Sequence, residues 1–160
     1  MNISQSRSDA VIAAAVAQAR AIGVPMNVAV LDAGANLKAF LRMDGALLGS
    51  VDIALRKAKT AALFGMSSAA VGEYCKPGGT SPGLDSTNGG LVVFAGGLPL
   101  RASDGTLIGA VGVSGGSVAQ DAQVAAAAAS ALAGEEGPCS ITLQSGSEQP
   151  LQASPGRSSS

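Results

Sequence analysis

Histidine is absent from the 160-residue chain. That excludes a Ser-His-Asp triad, a Cys-His pair and His-ligated zinc or haem iron within one chain. Tryptophan is also absent, and aromatic residues make up only 2%. The interior must therefore be built from Ala, Val, Ile and Leu at close spacing. Charged residues are few, 13%, and nearly balanced at a net −1. This leaves no clustered basic face for nucleic acid. No run reaches the roughly 18 apolar residues of a membrane span. The N-terminal Met1-Asn2-Ile3-Ser4-Gln5-Ser6-Arg7 lacks the apolar stretch of a secretory signal, so a cytoplasmic protein with reduced thiols is expected. Two cysteines, Cys75 and Cys139, are too few for a disulfide scaffold or a metal knuckle. Carboxylates are scattered without metal-ligand spacing, and no metal site is expected.

What is present is small and apolar: 47% hydrophobic residues, with 22 glycines. Such a chain is too apolar and too lightly charged to be disordered over its bulk. Its length suits one domain. A first helix is expected from about Ser4 to Ile22, with Ile12, Ala15, Val16 and Ala19 on one face and Gly23 and Pro25 as its stop. Met26 to Leu31 and Leu37 to Met43 read as a hairpin around Asp32-Ala33-Gly34-Ala35-Asn36. A second helix reaches about Phe64 with Leu48, Val51, Leu55, Ala58 and Ala62 as its buried stripe. Asp52, Arg56, Lys57 and Lys59 form its polar face, with Asp52 and Arg56 spaced as an i, i+4 pair. Ser67 or Ser68 caps a short helix ending near Tyr74.

A Pro/Gly/Ser/Thr/Asn segment from Lys76 to Gly90 is either a pocket rim or a plain surface loop. Leu91 to Phe94, Leu98 to Arg101 and Thr106 to Ser114 read as three strands. Ser117, with Gln120 at capping-box spacing, opens a last Ala-rich helix to about Leu132. One domain over residues 1–134 and a disordered tail over 135–160 are expected, with Ile141-Thr142-Leu143 as a short edge strand at most. This element order predicts an α+β layer structure on an antiparallel sheet.

The segment Gly109 to Ser117 leaves a strand and enters a helix, where backbone amides make an anion site. Ser114, Gly115 and Gly116 are its candidate ligand-binding residues. Gly112-x-Ser114-x-Gly116 also matches a nucleophile elbow, but without histidine only a Ser-Lys pair with Lys57 or Lys59 could serve. Arg42 offers a bidentate fork for a carboxylate or phosphate, or an ion pair with Asp44 or Asp52. Lys57 sits in a small-residue stretch. It is either part of a solvated face, or an anion ligand or base drawn into a pocket. Glu73, Tyr74, Cys75 and Lys76 meet where a helix enters the long loop. There Glu73 and Tyr74 are candidate acid/base groups, and Cys75 is a small buried hydrophobe or a site residue.

Several ordered motifs together resemble the GlcG/HbpS-like family. They are Val30-Leu31-Asp32-Ala33-Gly34, Arg42-Met43-Asp44-Gly45-Ala46, Arg56-Lys57-Ala58-Lys59-Thr60-Ala61, Gly96-Gly97-Leu98-Pro99-Leu100, and Gly105 to Gly116 with Gln120-Asp121. The resemblance covers about residues 5 to 133. It implies a profilin-like α/β/α sandwich with a five-stranded antiparallel sheet, and a homo-oligomer. Members of that family include haem-binding sensor proteins, proteins encoded near glycolate or glycerol/diol utilisation genes, and a domain of PduO-type corrinoid adenosyltransferases. Any histidine ligation of haem does not carry over to this chain. Haem would be held by Tyr74, Cys75, a Met or a Thr, or by apolar contacts with Arg42 and Lys57 on the propionates. An acidic residue that often follows the Asp121 position is Ala122 here.

The reading is a small-ligand-binding accessory protein for haem or another anionic tetrapyrrole or metabolite. The alternative is a small isomerase, lyase or hydrolase using Lys57, Glu73 or Tyr74, and a third reading is a structural subunit without a pocket.

Overall fold

The computed structural model describes residues 1–132. Helix α1 spans Gln5–Ala21, with the Ser4 side chain accepting from the Arg7 amide at its start. Strands β1 (Asn27–Asp32) and β2 (Leu37–Arg42) form the expected hairpin. Its turn is closed by Asp32, whose carboxylate accepts from the amides of Gly34 and Asn36. The Asn36 amide above all holds that carboxyl below the usual range. Helix α2 (Ser50–Phe64) and helix α3 (Ser68–Cys75) follow, with Ser67 capping α3. A single 3-10 turn, Leu84–Ser86, lies in the long loop. Strands β3 (Gly97–Arg101) and β4 (Leu107–Ser114) are joined through Ala102 to Thr106, and α4 spans Val118–Ser130. The capping box between Ser117 and Gln120 is formed from both sides.

The sheet is antiparallel with order β2-β1-β4-β3. Alternation along its two central strands divides the interior. Val28, Val30, Val111 and Val113 face α1 and α4, whereas Ala29, Leu31 and Ala110 face α2. The result is an α/β/α sandwich, with thin alanine packing on the α2 side. Glycine is required where α2 crosses β4. A Cβ on Gly112 would collide with the Ala54 carbonyl and press on Ala58.

Three expectations are corrected. The sheet has four strands among the described residues, not five. Leu91 to Phe94 is not a strand, because its amides are used elsewhere. Leu91 N donates to Asp85 O at 2.7 Å and Val92 N donates to Thr60 Oγ1 at 3.2 Å. The stripe of α2 is rotated: Ala54, Lys57, Ala58, Ala61 and Ala62 are buried, whereas Leu48 is 72% exposed. Among the described residues no helix is long and apolar enough to cross a membrane. Cys139, the Ile141–Leu143 segment and the expected tail lie outside the described residues.

Candidate functional site

Lys57 has no exposed surface. It is carried to the sheet by the alanine face of α2, and its ammonium donates to Asp121 Oδ2 at 2.6 Å and to Val113 O at 3.0 Å. Asp121, 2% exposed, lies in the first turn of α4. Its other oxygen, Oδ1, accepts from the amides of Gly115 at 3.1 Å and Gly116 at 3.0 Å. The amides of Gly115 and Gly116, expected to meet a ligand, are thus taken up by the chain's own Asp121 carboxylate. Burial pulls the Lys57 pKa below the ordinary lysine value, and the hydrogen bond and charge of Asp121 oppose that pull.

Phe94 closes this network from outside. Lys57 Nζ lies 4.8 Å from its ring centroid, a distance suited to cation–π attraction. The segment carrying Phe94 is pinned on both sides. Ser68 Oγ donates to Phe94 O at 2.6 Å and accepts from the Gly97 amide at 3.0 Å. The Val113 amide donates to Gly96 O at 2.8 Å. Gly96 has φ +118, and a Cβ there would press on Lys57 Nζ, so glycine is needed for the lysine to fit beneath the segment.

On the outer side of Phe94 lies a cleft of about 440 Å³ between α3, residues 93–95 and the start of α4. Val93, Phe94, Ala95, Ala69 and Val118 give it apolar walls. Cys75 lines it, and Glu73, Lys76 and Asp85 are its polar edge. Glu73 and Lys76 are ion-paired with each other. The long loop thus supplies part of the rim through Lys76 and Asp85. Its far end is tied to α2 by Arg56, which donates to the carbonyls of Gly89 and Gly90, and by Lys59, which donates to that of Asn88.

The structure brings together Lys57, Gly115 and Gly116, through Asp121. Glu73 lines the cleft on the far side of Phe94 from this group. Tyr74 is 46% exposed, and its carbonyl accepts from the Ser81 amide. Ser114, 3% exposed, lies across β1 from Arg42: Ser114 is in register with Asn27, and Asn27 with Arg42. Arg42 is exposed at the end of β2, and it also borders a cleft of about 400 Å³ beside Arg20 and Leu41. The expected Asp52–Arg56 pair is formed at 2.7 Å. Among the described residues no group of three or more His, Cys, Asp or Glu could hold a metal ion.

Sequence reasoning missed Phe94 and Asn27 and named Asp121 only as part of a family motif. The signal for Asp121 was available: a carboxylate a few residues beyond a Ser-Gly-Gly-Ser turn can fold back onto its amides. Asn27 was also visible, as the one amide side chain in the apolar run Met26 to Leu31.

A family model described as haem degrading protein HbpS-like matches residues 3–130. A 15.0 kDa protein from the dhaT-dhaS intergenic region of Citrobacter freundii is 41% identical over 129 residues, covering 76% of this chain and 90% of that protein. Klebsiella pneumoniae protein ORFY has a similar crystal structure, with TM-score 0.80 and 35% identity over 84% of this chain and 92% of that one. A structure of a PduOC:haem complex gives TM-score 0.77 and 36% identity over 82% of this chain and 95% of that one. The chain belongs to the HbpS-like family.

Proposed function

We propose that the protein is a small-ligand-binding accessory protein that takes haem, or another anionic tetrapyrrole or metabolite, without histidine ligation. The observation that carries this reading is the cleft between α3 and α4. Its volume of about 440 Å³ is in the usual range for small-molecule sites. Its walls are apolar, as a porphyrin face requires, and its lining includes Cys75, a soft donor. The residues present fit such a ligand in part. Cys75, Phe94, Val93 and Val118 would hold the group, Cys75 as the sulfur donor and the others as apolar wall, and Lys76, now paired with Glu73, would offer its charge to the ligand's carboxylates. When bound, haem would supply an iron centre whose properties depend on the donor the chain offers it. The solved haem complex of a relative, 36% identical, supports the class of ligand.

Titration of purified protein with haemin tests the reading. A shifted Soret band at micromolar haemin is expected, and Cys75→Ala should change its position or abolish it. An unshifted band overturns the haem version, and an identical spectrum for the Cys75 variant overturns the role of the thiol.

Homo-oligomerisation is part of the same proposal. It is supported by large apolar side chains left at the surface, Leu37, Leu47 and Leu48 among them.

A further inference from the structure

Helix α1 commits one face to the interior. Val11, Ala15 and Ala19 are buried in the core that α4 also enters. A second stripe, Asp9, Ile12, Ala13, Val16, Ala17 and Arg20, recurs at the spacing of neighbours on a helix surface. With Leu41 of β2 it lines a cleft of about 420 Å³. Val16, Arg20 and Leu41 also line the cleft of about 400 Å³ beside Arg42, so the two join as one trough between α1 and the edge strand β2. Leu41 pairs with Val28, which faces α1, and the trough therefore lies on the α1 side of the sheet.

The floor of the trough is apolar. Ile12, Val16, Leu41 and Met43 are half-buried, and Ala13 and Ala17 are exposed beside them. The charges stand at its ends. Asp9 is at one end and Arg20 at the other, roughly 16 Å apart along the helix. Arg42 and Asp44 border the Arg20 end. Asp9, Arg20 and Arg42 are exposed, and none of them is in an ion pair among the described residues.

The stripe is its own complement. An antiparallel copy related by a two-fold axis between residues 14 and 15 sets Asp9 opposite the partner's Arg20, and Arg20 opposite the partner's Asp9. The same operation sets Ile12 on the partner's Ala17 and Ala13 on the partner's Val16. Each larger side chain thus meets an alanine, and the two opposite charges meet at both ends. Alanine at 13 and 17 lets helix axes approach closely. A two-fold contact demands this self-complementarity.

We infer that α1 is a docking surface for a second copy of this chain, packed antiparallel on its own α1 with Asp9 and Arg20 paired across the axis. The contact rests on the chain being a homo-oligomer.

Charge reversal, read by native mass spectrometry and sedimentation velocity of the full chain, tests the pairing. Asp9→Arg and Arg20→Asp each set like charges opposite at both ends of the contact. Either should weaken association about tenfold or more and lower the subunit count, with the circular dichroism of the fold unchanged. The double variant Asp9→Arg, Arg20→Asp restores both pairs and should assemble like the wild type. An equimolar mixture of the two single variants should also assemble, with both sequences in equal number. If a single variant does not fold, Ala13→Glu, which sets a carboxylate near the axis, should separate the copies in its place. Single variants that assemble like the wild type, or a double variant and a mixture that both stay apart, would overturn the α1 contact and leave self-association standing. A wild-type monomer at micromolar concentration would overturn both.

Discussion

The two partners of the Lys57–Asp121 pair are unequal in what they hold. Removing one partner of a buried ion pair costs about 3–5 kcal/mol, because the other is left charged in a low dielectric. Asp121→Ala takes from Lys57 its carboxylate and at the same time leaves the amides of Gly115 and Gly116 without their acceptor. Lys57→Met removes the ammonium, but Asp121 keeps both amide donors, and a methionine fills most of the lysine's space. Urea denaturation should therefore place Asp121→Ala at the upper end of that range and Lys57→Met clearly below it. Equal losses would mean that the glycine amides add nothing to the pair. The same asymmetry explains why this lysine does not act as an open receptor for an external anion. Its charge is already met on one side by Asp121 and covered on the other by Phe94.

At the scale of elements, the sandwich depends on how closely α2 can lie on β4. That approach is set by alanines at 54, 58 and 61 and by Gly112 beneath them. Gly112→Ala would drive a methyl into the Ala54 carbonyl, which is helix backbone and cannot turn aside. The loss expected is at the top of the roughly 1–3 kcal/mol of overpacking, read as a lower urea midpoint with an unchanged slope. A neutral result would mean that α2 slides without cost. Elements defined by local chemistry were legible in the sequence. The start of α1 near Ser4, a cap at Ser67 or Ser68, the capping box at Ser117 and the hairpin at Asp32 depend on residues within a few positions, and the structure shows the helix start, the cap at Ser67, the box and the hairpin. Features decided by distant partners were not legible. Leu91 to Phe94 has strand composition, but its amides are taken by Asp85 and Thr60. Whether Lys57 belonged to a solvated face or was drawn inward could not be decided locally, because its carboxylate lies 64 residues away. That the amides at Gly115 and Gly116 are free to meet an anion could be read from the glycine turn alone. That an internal aspartate fills the site required the fold.

For the whole molecule, the open question is what covers the α2 side of β2. Helix α2 lies over β1, β4 and β3. The same-side row of β2, which includes Phe40 and Arg42, stays exposed, as do Leu47 and Leu48 in the turn before α2, at 64% and 72%. Leaving such side chains in water forgoes about 25 cal/mol for each Å² of apolar surface, and a self-complementary contact between copies would recover it. Native mass spectrometry of the full chain should therefore report a defined multimer, together with the mass of any ligand it retains. The double variant Leu47→Asp, Leu48→Asp should lower the subunit count while leaving the circular dichroism of the fold unchanged, since neither side chain is part of the core. A wild-type monomer at micromolar concentration would refute self-association. A multimer indifferent to both aspartates would place the contact on another face of the sandwich.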